Sequence, residues 1–392
     1  MHQLRRPRAV LLSAAAVAAV IFVGAGAFLA ASSAHRVSPV WTAGFGDRGL
    51  PFATETTADR VVVTTDFAVV VLDRDNGERL WRRDLDEGDR TLDSRVPRLF
   101  GDTVVVPRDG FYAFEGVDLD TGETRYTVKL DAGETYVAVP APVIVTRLCD
   151  PDGCRFRGRD AATGAVAWEG QMIVGDAQEP EWPRELGGDT FSALRRTPVG
   201  YGIIGSGRGA VAVDLATGAT LSTWHDSDIT AFDGHVLGRN GDTVRGLDPV
   251  TGGELWRAGD RGTMFSSNGR LVFGTPERNF ITGPYLVTGD DGNAREGDTL
   301  GRLLIGAADS GDVFFNPATG TLEGPSWMVH IGGRAPDTAQ LIGDRLMLSS
   351  GPRTWLINTA SGAYARIQGQ GFALTDDGLA AVGGDGMYFY EI

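Results

Sequence analysis

The repeat spacing of this 392-residue chain predicts an all-β fold, an eight-bladed β-propeller with seven blades as the alternative, preceded by a single N-terminal transmembrane helix. Three observations carry that expectation. A degenerate unit, Asp-x-x-Thr-Gly followed by an aromatic, recurs seven times. No long window beyond residue 37 places apolar residues at helical spacing, and residues 9–34 contain no charge.

The copies follow one another along the chain. In the first, Val69-Val-Val-Leu-Asp73-Arg-Asp-Asn-Gly77 leads to Trp81. Asp118 and Gly122 then precede Tyr126, Asp160 and Gly164 precede Trp168, Asp214 and Gly218 precede Trp224, and Asp248 and Gly252 precede Trp256. Two later copies begin with Asn, at Asn316 with Gly320 and at Asn358 with Gly362; their aromatics, Trp327 and Tyr364, fall off the spacing. The steps between the glycines are 45, 42, 54, 34, 68 and 42 residues, a mean of about 47 and the length of a four-stranded blade.

Each residue type in the unit has a physical reason. Asp or Asn at a strand end accepts hydrogen bonds from turn N–H groups, and Gly four residues later tolerates the positive φ of a hairpin exit. An aromatic beyond it, on the returning strand, is large and flat enough to fill the gap to the next blade. Recurrence argues for that packing role, since a ligand contact is needed once and a core residue in every blade.

Closure is legible too. Leu379 to Ile392 supplies inner strands without a returning one, and residues 37–45, with Trp41, read as the missing strand; pairing the two ends removes an open edge and brings the count to eight. The 68-residue step from Gly252 to Gly320 reads first as an insertion within one blade, with Arg278 to Gly301 as the inserted loop, and an extra blade within residues 253–315 is the alternative.

Arg5, Arg6 and Arg8 precede the apolar run, so residues 1–8 read as a cytoplasmic stub and 9–34 as an uncleaved signal-anchor. The propeller of residues 37–392 is then expected on the outer side of the cell membrane, single-pass and monomeric. A cleaved signal peptide is the alternative, with Ser32 and Ala34 as a small-x-small site. Formal charge is −15; removing the four arginines of the first 36 residues leaves −19, which repels nucleic acid and anionic headgroups. Lys129 is the only lysine among 36 basic residues, a global bias that suggests a high-GC bacterium.

Two cysteines occur, in Cys149-Asp-Pro-Asp-Gly-Cys154, where Pro151 and Gly153 signal a tight turn. In an oxidising compartment this reads as a local disulfide. A metal site would need a second ligand pair, and the nearest histidine is His225. Cys149 also lies too far into the chain for lipid attachment at an N-terminal cysteine.

The repeat resembles the pyrroloquinoline-quinone-type (PQQ), or tryptophan-docking, repeat of the quinoprotein alcohol dehydrogenase-like propellers, over residues 37–392 and most clearly in the first five copies. That resemblance implies eight blades. It also implies one of two roles. The dehydrogenases of the family hold PQQ with Ca²⁺ bound by carboxylate and amide side chains, beside two adjacent cysteines; Cys149 and Cys154 are not adjacent, and no ligand motif carries over. Noncatalytic members, such as the propeller subunit of the outer-membrane barrel-assembly machinery, bind partners through loops. The expectation is therefore a noncatalytic scaffold for protein or cell-envelope partners, without catalytic, cofactor or metal residues; a PQQ-dependent oxidoreductase and an extracellular ligand-sensing module are the alternatives.

Remaining motifs read as structural. Gly205-Ser-Gly207-Arg-Gly-Ala210 matches a dinucleotide pattern but leads into a strand where that fingerprint needs a helix. His225, His235 and His330 are scattered. The acidic stretches Asp84, Asp86, Glu87, Asp89 and Asp290, Asp291, Asn293, Asp298 lack the spacing of a dedicated calcium loop and read as solvated turns.

Overall fold

Continuous β-branched runs such as Val61-Val62-Val63 and Val69-Val70-Val71 cannot be half-exposed strands; they need cover on both faces. The computed structural model places them on the strands Arg60–Thr65 and Ala68–Asp73, inside a meander with Pro51–Thr56 and Arg79–Asp84. Both middle strands are almost wholly buried while the last is largely open. Such a sheet stands edge-on in a ring, with one face against each neighbour.

The structure describes residues 35–36, 38–45, 51–65, 67–85, 97–108, 112–137, 143–150, 153–170, 201–206, 209–225, 229–232, 235–240, 243–259, 263–277, 280–288, 294–332, 334–351, 353–374, 378–383 and 386–391. Every element among them is a strand.

Six sheets are regular blades of four or five strands: 51–84, 98–129, 134–169, 229–259, 338–367 with an added strand, and the closing sheet. Two others depart. Among the described residues the sheet at 201–224 has three strands, and the one spanning 263–330 has eight. Hydrophobic clusters join consecutive sheets: Val62, Val71, Val104 and Val117 across the first seam, Val105, Phe114 and Ile144 across the next, Val145, Phe156 and Val213 across the third. The ring closes where Val61 and Val70 meet Phe389 and Trp41.

That closure uses both termini. Trp41–Ala43 pairs antiparallel with Gly386–Glu391, Trp41 opposite Phe389, and the two rings stack with centroids 5.2 Å apart. His35–Arg36 lies parallel to Tyr364–Ile367 as a fifth strand on the adjoining sheet.

Two expectations are corrected. Eight (or seven) equivalent blades behind a transmembrane helix are not what the described residues contain: regular blades form a six-bladed set, flanked by one short and one double-length sheet. Among the described residues no helix is long and apolar enough to cross a membrane, and residues 9–34 lie outside them. The Arg278 to Gly301 segment is not an inserted loop either. Phe280–Thr288 pairs with Arg270–Glu277 and with Ala294–Asp298, and Ile281 bridges to Leu304, fusing two meanders into one sheet. This meander has no Asp-x-x-Thr-Gly turn, so the repeat spacing passed over it.

Because Trp41 is 6 % exposed and closes the ring, Trp41→Ala is expected to cost about 3–5 kcal/mol. Urea denaturation of the purified chain measures it; a loss below about 1 kcal/mol would mean that closure does not rest on this residue.

Candidate functional site

The seam between sheets is where the repeat residues converge. In each turn the Gly N–H donates to the Asp or Asn backbone carbonyl at 2.8–2.9 Å, and the Asp or Asn N–H donates to the carbonyl after the Gly. The side-chain oxygen of the same Asp accepts from N–H groups two and three residues on: Asp73 from Asp75 and Asn76, Asp118 from Asp120 and Thr121, Asp160 from Ala162 and Thr163, Asp214 from Ala216 and Thr217, Asp248 from Val250 and Thr251. Asn316 takes one such bond, from Ala318, and Asn358 takes its bond from Ser361.

In five of these turns the carbonyl of the residue after the Asp or Asn accepts a bond from an aromatic side chain of the preceding sheet. It is the docking acceptor. The Trp41 indole N–H donates to Arg74 O at 2.6 Å, Trp81 to Leu119 O at 2.7 Å, Trp168 to Leu215 O at 3.0 Å and Trp327 to Thr359 O at 2.5 Å, while the Tyr126 hydroxyl donates to Ala161 O at 2.6 Å. Burial, and then the nearby Asp160 carboxylate, raise the Tyr126 phenol, which stays a donor. Trp327, off the sequence spacing, reaches its acceptor because Thr321–Glu323 and Met328–His330 form an extra hairpin around it.

The turn glycine has a second role that its φ does not reveal. At Gly218, φ is +74° and an added Cβ would lie 2.5 Å from the Trp168 ring; at Gly122 it would lie 2.7 Å from Trp81. The docking ring thus lies directly on the glycine. At Gly101, φ is +59° but nothing lies within 4 Å.

One assignment needs refinement. The residue four beyond Gly218 is Ser222, and its hydroxyl takes the docking carbonyl, Pro249 O, at 2.7 Å; Trp224, two residues later, donates to Gly252 O at 3.0 Å instead. Trp256 faces the meander that lacks the turn and packs edge-on to Phe273. Tyr364 joins the preceding seam's apolar cluster, which also contains Trp355, a buried tryptophan outside the repeat pattern.

Around the seams lie ion pairs that the repeat does not announce. Arg125 bridges Asp102 at 2.7 Å and Asp118 at 2.6 Å. Turn N–H donation from Thr121, followed by Arg125, pulls the Asp118 carboxyl down to about 2. Arg83 reaches across to Glu115 and to the Gly122 carbonyl. In the third sheet Glu134 is completely buried, accepting from Thr146 Oγ1 at 2.5 Å, Arg159 at 2.9 Å and Arg157 at 3.0 Å. Burial pushes that carboxyl up, but the hydroxyl and guanidinium donors outweigh it and the net shift is downward. In the fused sheet Asp312 accepts from Arg295 and from the Tyr285 hydroxyl.

These pairings bear on a quinone site. Glu115, Glu134, Asp312 and Glu323 each face an arginine instead of standing as free oxygen donors. Cys149 and Cys154 face one another across a hairpin, with their side chains outside the described residues. Those four carboxylates are therefore engaged by guanidinium groups and are not free to ligate Ca²⁺ beside PQQ. No cluster of three or more His, Cys, Asp or Glu comes together among them; His225 and His330 are exposed, the His235 side chain is outside the description, and so are Asp86, Glu87, Asp89, Asp290, Asp291 and Asn293. Asp298 caps its own turn. Gly205 and Ala210 pair across a hairpin, not at a helix start.

Residues 29–241 match the family model described as outer membrane protein assembly factor BamB, of the PQQ-repeat type. The chain belongs to this PQQ-repeat propeller family. Solved structures that it resembles include BamB from Moraxella catarrhalis, at 16 % identity and TM-score 0.41 over 83 % of this chain and 85 % of that one. A europium-containing methanol dehydrogenase matches at 12 % and 0.42, over 89 % of this chain and 85 % of the other. The quinohemoprotein alcohol dehydrogenase from Comamonas testosteroni matches at 12 % and 0.44, over 91 % and 75 %. No curated protein sequence matches.

Two measurements check the seam. Gly218→Ala meets both a strained φ and the Trp168 ring and is expected to cost about 3 kcal/mol, against about 1 kcal/mol for Gly101→Ala, which meets the strained φ alone; equal losses would remove the docking role. Because the Asp118 carboxyl is depressed in the folded state, its stabilisation is present above the ordinary value of 3.8 and is lost as pH falls toward 2. Carbon-detected NMR titration should follow it there, and a midpoint near 3.8 would show that the turn does not hold the carboxylate.

Proposed function

We propose that this chain is a noncatalytic, extracytoplasmic propeller scaffold that holds protein or cell-envelope partners. One observation carries the reading: the polar and aromatic groups of the repeat are consumed in closing seams, while large apolar side chains stand exposed on the outermost strands. Val40, Leu80, Leu255 and Met328 each adjoin a repeat or closure tryptophan in sequence, and Val166 lies two residues from one. Membership of a family described by an assembly factor supports the same class of role.

Export supports a disulfide between Cys149 and Cys154. Cys149 and Cys154 are directly opposed in the antiparallel pair of Ile144–Asp150 with Gly153–Arg159, and directly opposed residues of such a pair stand at a spacing that suits a bridge.

Reconstitution with PQQ and Ca²⁺, read by the absorbance of bound quinone and by a dye-linked dehydrogenase assay, tests the main reading. Neither stoichiometric quinone nor turnover is expected, and one quinone per chain with turnover would overturn it. Alkylation of protein isolated from its own cells should add no mass before reduction and two labels after it. Two labels before reduction would remove the bridge.

A further inference from the structure

Thr299, Leu300, Gly301 and Arg302 form a tight turn in the fused sheet, closed by Arg302 N–H donating to Thr299 O at 3.1 Å. Its two central residues both have positive φ, +51° at Leu300 and +79° at Gly301. This is the type I′ geometry, which Asn-Gly fits and a side chain as large as Leu resists. The same chain uses Asn268-Gly269, at +55° and +69°, for the same pair of conformations. Leu300 is nevertheless 78 % exposed, so no packing within the chain offsets the strained backbone.

The turn is held firmly. Asp298 Oδ1 accepts from Leu300 N–H at 2.8 Å, buried Thr299 exchanges hydrogen bonds with the Gly283 backbone, and Arg302 Nε donates to Thr299 O at 2.9 Å. The Arg302 guanidinium lies 4.1 Å from the Phe314 ring centroid and pairs with Glu323. Opposite Glu323 across the strand pair is Met328, 55 % exposed. Of this partly buried ion pair, Arg302 lies two residues from exposed Leu300 and Glu323 lies opposite exposed Met328.

We infer that Leu300, supported by Met328, is a preformed anchor for a partner protein that presents an apolar pocket with a basic rim. The pocket follows from a large apolar side chain held outward at a conformational cost, as a binding hot spot requires. The basic rim follows from exposed Glu296 and Asp298 beside the turn and from a net charge of −15, which disfavours both a second copy of this chain and an anionic lipid surface. The inference rests on the scaffold reading and gives it a location.

The test uses the full chain in its own cells, with a photo-crosslinking amino acid at position 328 and, as a control, at position 220, an exposed threonine on the outer strand Thr220–Trp224. A discrete adduct is expected from 328 and not from 220, with its crosslinked peptide mapping to an apolar pocket that has Lys or Arg around it. Leu300→Asn keeps the turn, should raise the melting temperature of the purified chain by relieving the strain, and should cut the adduct yield about tenfold or more. An adduct yield unchanged in Leu300→Asn, an adduct with a second copy or with lipid, no adduct, or a lowered melting temperature would each overturn the anchor. Failure here with no quinone bound removes only the location; quinone binding with turnover removes the scaffold reading itself.

Discussion

An aromatic N–H or O–H reaching a turn carbonyl in the next sheet, with the ring laid on the turn glycine, is the contact on which the ring of sheets depends. A meander standing edge-on buries two apolar faces, and dispersion and hydrophobic burial there are strong but directionless. They would tolerate sliding of one sheet past another. The docking bond, 2.5–3.0 Å from Trp41, Trp81, Tyr126, Trp168 and Trp327, fixes the register, because each of the five reaches the same carbonyl of its turn, that of the residue after the Asp or Asn.

That constraint explains which substitutions within the repeat the fold accommodates. Tyr126 replaces Trp because its hydroxyl reaches the same acceptor, and Ser222 replaces it at the shortest repeat step because a hydroxyl still reaches Pro249 while Trp224 supplies the bulk. Asn316 and Asn358 replace Asp because an amide oxygen accepts the turn N–H groups as a carboxylate does. Where the turn is missing, at residues 263–298, no docking bond is found among the described residues. The adjoining seam is held instead by Trp256 on Phe273 and by the Tyr285–Asp312–Arg295 group. The irregular unit is also where Leu300 stands outward.

Carboxylates within the sheets are held by neighbouring donors. Here Glu134 and Glu323 face arginines and hydroxyls across or within sheets. Such pairs contribute little net stability over an apolar replacement, yet removing one partner leaves a buried charge, so they favour a single arrangement of neighbouring sheets.

Much of this was legible in residues 37–392. Strand runs, turn chemistry, packing aromatics and the closing pair all follow from local rules: β-branched runs need two-sided cover, Asp and Gly specify a turn, and an aromatic at fixed offset falls on the returning strand. Local rules could not count the sheets. The meander at 263–298 lacks the turn signature, and the fusion through Ile281 and Leu304 is a pairing between residues 23 apart that no local pattern encodes. Nor could they place the arginine pairs, since Arg83 meets Glu115, and Arg125 meets Asp102, only after neighbouring strands are set side by side. Sequence by itself determined the unit and the way it repeats, because each turn is settled within a few residues. Tertiary structure decided the number and regularity of the sheets, the partner of each charge, and which apolar side chains were left facing water, because those depend on what stands across the seam.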